Sequence, residues 1–321
     1  MRKSEVYFLF ISVAIFMTLA FYGCKTSPST PKVQPEPEKK TVEKEEELPV
    51  EQDLVPLALI GKGFSIYASI PVTNHRDLTA ELLTEEIENL SDTDAMLIAK
   101  RIDMLYAGLG TVSDRSRLEA VAEGNIPPIG IKTTFTKKNG WSKNSYKDDL
   151  SYYAHDDSRY DICFFSQKLF SIAQDLTPVM DRYAEKAVLD ETRYTEWISR
   201  KSDDILFYIT RPGQYLRSLI GASINASTDR IYGSMQHIRG NIYNMQMNIH
   251  VTDRSSIQSL KSMLALSFGL TGASLSQKDN ETLVLSKVEV TQQQIVNLFT
   301  RDPITGKHYR IEGDKILEEA R

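Results

Sequence analysis

An imidazole beside two carboxylates is the most chemically suggestive run in this chain: His155, Asp156 and Asp157. Such groups could ligate a divalent cation, or activate water in a hydrolase. Adjacent residues at a hairpin tip point apart, however, and the same tripeptide makes an ordinary turn. The remaining histidines, His75, His237, His250 and His308, have neither HExxH nor HxH spacing. His237 and His250 fall on the two strands of one predicted hairpin, near each other, where a solvated face is the expected setting. Cys163 is flanked by apolar β residues in Tyr160-Asp161-Ile162-Cys163-Phe164-Phe165. A small buried hydrophobe is expected there, because a reactive thiolate needs a positive neighbour. There is no GxSxG elbow, and Gly61-Lys62-Gly63 lacks the spacing of a phosphate-binding loop. Glu85-Glu86 falls on a charged helix face. No catalytic, cofactor-binding or metal-ligating residue is assigned, and the expectation is a non-enzymatic protein without a cofactor.

Cys24 is the residue with the clearest chemistry. Arg2 and Lys3 open the chain, Val6 to Gly23 is almost wholly apolar, and Cys24 follows, after which the sequence turns polar. That is the charged, apolar, small-residue order of an export signal. Leu19-Ala20-Phe21-Tyr22-Gly23-Cys24 resembles the lipobox of bacterial lipoproteins, in the relaxed form seen in spirochaetes. Gly23 fits the small residue before the cut; Phe21 and Tyr22 depart from the usual pattern. The resemblance implies a diacylglycerol on the Cys24 thiol, removal of residues 1–23, and further acylation such as palmitate. Lys25 is not the Asp that retains lipoproteins at an inner membrane, which by analogy implies the outer membrane or the periplasmic face. An uncleaved anchor is the alternative: Val6 to Gly23 would span about 27 Å as a helix, just short of a bilayer core.

Residues 24–55 are the tether. From Lys25 to Leu54 there are five prolines, eight acids and five bases, with no glycine and no aromatic. Such a segment cannot bury enough apolar surface to offset its ordering entropy, and proline with like charge favours extension. The formal charge of the chain is −5, so nothing suggests a nucleic-acid partner, which leaves a basic footprint. Cys24 and Cys163 are the two cysteines, which excludes a disulfide framework.

The folded part reads as α+β, in two related sheet-plus-helix units at 56–201 and 202–300, with a loose tail at 301–321. Phe64 to Val72 is a predicted strand; Leu78, Leu82, Leu83, Ile87 and Leu90 line a helix; Ser91 caps another; Asp103 to Val112 is a strand. Asn139-Gly140 is a hairpin signal, and Tyr152–His155 should pair with Tyr160–Phe165. In the second unit, strand 204–210, a short helix at 215–220, strands 230–238 and 242–251, a helix capped by Asp253 and strand 283–290 give the order β-α-β-β-α-β. That order matches a ferredoxin-like pattern. Thr291-Gln292-Gln293-Gln294 is a capping box for one more helix. Strand, helix, strand recurs in both halves, with Asp103-Met104-Leu105-Tyr106 echoed by Asp229-Arg230-Ile231-Tyr232, which reads as a degenerate duplication.

These observations point to a lipid-anchored module of the cell envelope, outside the cytoplasm, that binds a partner or lends structure, with the membrane as its one definite partner. Two other readings compete. One is an anchored hydrolase with a dispersed site near His155. The other is a lipid-contacting carrier with an apolar groove, for which Met235, Met245, Met247 and Met263 are the adaptable side chains, although their strand periodicity favours core.

Overall fold

The computed structural model describes residues 54–86, 90–110, 117–147, 150–155, 158, 160–213, 215–216, 227–269, 271–300, 308–312 and 315–319. Cys24, the leader, nearly all of the tether, Asp156, Asp157 and most of the predicted 215–220 helix lie outside the described residues. The folded body belongs to one compact unit, Glu47–Arg321.

A 3-10 turn at Pro56–Leu59 precedes β1 (Ile66–Pro71), α1 (Arg76–Glu86), α2 (Asp92–Ala99), β2 (Ile102–Leu109), β3 (Leu118–Gly124) and α3 (Pro128–Thr134). Next come β4 (Trp141–Tyr146), β5 (Leu150–His155), β6 (Asp161–Phe164), β7 (Leu169–Ala173), α4 (Thr177–Ala184) and α5 (Arg193–Ile198). The chain continues through β8 (Ile205–Ile209), β9 (Thr228–Arg239), β10 (Ile242–Val251), α6 (Ile257–Phe268), β11 (Ser274–Gln277), β12 (Thr282–Thr291) and α7 (Gln292–Thr300). These strands form one 12-stranded sheet in the order β11-β12-β10-β9-β8-β1-β2-β3-β7-β6-β5-β4. Every pairing in it is antiparallel.

Strand alternation assigns each side chain to one of two cores. Ile66, Ala68 and Ile70 of β1, with Phe207 of β8 and Met245, Met247 and Ile249 of β10, face α1, α2, α6 and α7. Tyr67, Val121, Cys163 and Tyr208 face the Pro56–Leu59 turn, α4 and α5. Local signals start the helices where the residues require. Ser91 Oγ accepts from Asp94 N at 3.1 Å, and Thr291 and Gln294 close a reciprocal cap, at 3.2 Å and 2.8 Å.

Three expectations change. The ferredoxin-like reading of 202–300 gives way to a meander: β8, β9, β10 and β12 lie side by side in chain order. A ferredoxin-like motif would use both edges of its first strand internally, but one edge of β8 is taken by β1, with Tyr67 opposite Tyr208. The sheet therefore runs unbroken across the sequence division at 201/202. Asn139-Gly140 joins no hairpin; it ends a 3-10 turn, with Gly140 at φ 80°, and β4 begins after it. The tail carries its own two-stranded sheet, β13 (His308–Glu312) with β14 (Lys315–Glu319). The predicted Tyr152–Cys163 hairpin pairing is present.

Candidate functional site

A row of alanines leaves a gap beneath the helices. Ala68 of β1 pairs with Ala107 of β2, and Ala107 pairs with Ala120 of β3, all on the face toward α1 and α7. A side chain that stops at Cβ cannot reach a helix packed at the usual distance. Leu82 and Leu83 of α1, Phe299 of α7, and Leu105, Leu109, Leu118, Phe170 and Ile172 of the sheet close the walls. The resulting cavity is about 70 Å³ and almost wholly apolar. Thr79 and Thr300 also line it, but their hydroxyls donate to their own helices, to His75 O at 3.0 Å and Val296 O at 2.9 Å. A lining without free donors cannot hold water well, so the cavity suits hydrocarbon.

On the opposite face Glu119 of β3 is 1% exposed. Its Oε2 accepts from Arg182 Nη2 at 2.6 Å and from Gly61 N at 2.7 Å; its Oε1 accepts from Arg117 Nη2 at 2.7 Å. Arg182 Nε donates to Leu59 O at 2.8 Å. The carboxylate thus fastens the turn before β1 and α4 onto the sheet. Gly61-Lys62-Gly63 serves this tie, with Tyr67 Oη donating to Gly61 O at 3.2 Å. Nothing in the sequence marked Glu119, which shares its strand with a second carboxylate, Glu123.

The histidines do not gather into one site, although His75 and His237 both lie against the Tyr243 ring, at 5.7 Å and 5.1 Å. His155 of β5 sits on the strand beside the sheet-edge strand β4, its ring 4.8 Å from that of Trp141. His237 and His250 do not adjoin: His237 pairs with Tyr243 and His250 with Arg230, at opposite ends of the hairpin. His250 Nδ1 lies 2.6 Å from Asp229 Oδ1, and its Nε2 3.5 Å from Glu281 Oε2. His75 is buried; its Nε2 faces Asp203 O at 3.0 Å, so that nitrogen carries the proton, and Nδ1 has no partner. Desolvation, with the nearby His237 charge, lowers the pKa of His75 despite the carbonyl contact. Burial pushes the Cys163 thiol up to about 12, the state of an inert core thiol. Met235, Met245 and Met247 are core. Among the described residues no three of His, Cys, Asp and Glu form a group able to hold a metal ion.

Fold and cavity define an α+β protein built on one long antiparallel sheet, with an apolar recess under two of its helices. Residues 51–296 match the family model described as outer membrane-associated lipoprotein TP0453, and the chain belongs to that family. The protein is accordingly one of the cell envelope. Crystal form I of TP0453 has a similar fold, with TM-score 0.61 at 13% identity over 76% of this chain and 96% of that one. Crystal forms III and IV give TM-scores of 0.60 and 0.58 at 14% identity, with the same coverage. No curated protein sequence matches.

Proposed function

We propose that the protein is a non-enzymatic lipoprotein, held to the membrane by acyl chains on Cys24, whose folded body receives a hydrocarbon chain in the alanine-floored cavity. The alanine row Ala68–Ala107–Ala120 carries this reading, because it creates apolar space at the centre of the sheet rather than at a frayed edge. The volume sets a condition. At about 70 Å³ the cavity is about half the engineered 150 Å³ cavity that admits benzene, so a long chain enters only as α1 and α7 part from the sheet. Gln292 Nε2 of α7 donates to Glu81 Oε2 of α1 at 2.5 Å, so the two helices would move together.

The test is a fluorescent fatty acid titrated into the full chain in mild detergent. Wild type should bind with saturation. Ala120→Leu, which fills the floor, should bind at least about tenfold more weakly while melting no lower, since filling an existing cavity is commonly stabilising. Equal binding by the two proteins would sink the reading.

A further inference from the structure

We infer that His75 and His237 form a proton-operated catch on α1, by which mild acid frees the roof of the cavity and speeds entry of a hydrocarbon chain. The catch regulates the proposed site and rests on that reading of it. His75 stands one residue before α1 and is 3% exposed. Its Nε2 donates to Asp203 O at 3.0 Å, and Asn74 Nδ2 reaches Asp203 O and Oδ1, each at 3.4 Å. The start of α1 is thereby fastened to the segment before β8. His75 O in turn accepts from Thr79 N at 2.9 Å and from Thr79 Oγ1 at 3.0 Å. Thr79, Leu82 and Leu83 are the α1 side chains over the cavity. One histidine therefore joins the roof to the body, through its ring on one side and its carbonyl on the other.

The closed arrangement has no place for a second proton on that ring. With Nε2 protonated, an added proton goes to Nδ1, which is buried and without a partner. An N–H there would lack an acceptor, and the charge would lack water. A second imidazole stands close: His237, at the exposed hairpin end of β9, lies against the same Tyr243 ring as His75. Burial, with Asp77 and Glu81 of α1 nearby, pushes the Tyr243 phenol up to about 12, so it stays neutral. Burial also holds the His75 pKa down, and the His237 charge lowers it further, against the opposing pull of the Asp203 carbonyl and the Asp204 carboxylate. With the roof open and His75 in water, the ring accepts its proton near pH 6.5. Acid thus favours the open form, by up to about tenfold between pH 7.5 and 5.5 for one such group.

The full chain in mild detergent is followed by hydrogen exchange and by the binding rate of an uncharged fluorescent fatty alcohol, a probe that does not itself titrate. Between pH 7.5 and 5.5, wild-type protection at Thr79 to Leu83, corrected for the intrinsic rate, should fall several-fold, up to about tenfold. Alcohol binding should quicken by a similar factor, while α4, on the other face of the sheet, keeps its protection. His75→Gln retains a donor for Asp203 O but cannot take up a proton, and should respond to neither change of pH. His237→Asn should respond less than wild type, since His75 loses the neighbour whose charge opposes its own. A flat wild-type profile, a full response in His75→Gln or His237→Asn, or equal loss of protection in α4 would each overturn the catch. An intact α1 response with no alcohol bound at either pH would instead overturn the cavity reading alone.

Discussion

Glu119 shows how one residue can bind distant parts of a chain. It stands 58 positions from Gly61 and 63 from Arg182, and its carboxylate meets both. Removing it leaves the Arg182 guanidinium, 24% exposed at its side chain, without its counter-ion and Gly61 N–H without an acceptor. Glu119→Ala should therefore destabilise the fold by about 3 kcal/mol in urea titration, the lower end of the range for a broken buried pair. His75 supplies a pH-dependent term. Its folded pKa lies below the unfolded value near 6.5, so between the two the unfolded chain binds more protons and stability rises with pH. Its contribution is complete above about pH 6.5 and falls as the solution is acidified. Denaturation midpoints measured from pH 7.5 downward should decline below that point, and His75→Phe should flatten the decline. The function of neither residue was legible in the sequence, because it comes from partners far along the chain.

Elements were more legible than their neighbours. The alternation of Tyr243, Met245, Met247, Ile249 and Val251 against Asn244, Gln246, Asn248 and His250 gave β10 its two faces, and the Thr291–Gln294 box marked the start of α7. A cap is read locally because its bonds span three residues. Asn139-Gly140 misleads for the complementary reason: a glycine at positive φ ends a short helix as readily as it turns a hairpin. Gly233 is a demand that only the sheet makes. A Cβ there would fall 2.0 Å from Gln246 O and 2.9 Å from Met247 Cα on the paired strand. Gly233→Ala should cost about 3 kcal/mol and loosen the β9–β10 pairing, visible as faster amide exchange at Tyr232 and Met247. Exchange rates unchanged from wild type would argue against that clash.

At the scale of the molecule, attachment and shape have separate origins. Cys24→Ala should move the protein from the detergent to the aqueous phase on partitioning, and mass spectrometry should find wild type beginning at an acylated Cys24. Two or three acyl chains give stable anchoring where one does not. Persistence of the variant in the detergent phase, with Met1 retained, would instead establish an uncleaved helix. By itself the sequence determined the α+β class, the element faces and the burial of Cys163, because each depends on composition or on a period of a few residues. Only the tertiary structure decided that twelve strands share one sheet, that β8 lies against β1, that three alanines line up to leave a cavity, and that Glu119 meets Arg182. Those features depend on which strands pair, and pairing energy is similar for many apolar partners until the whole sheet selects among them.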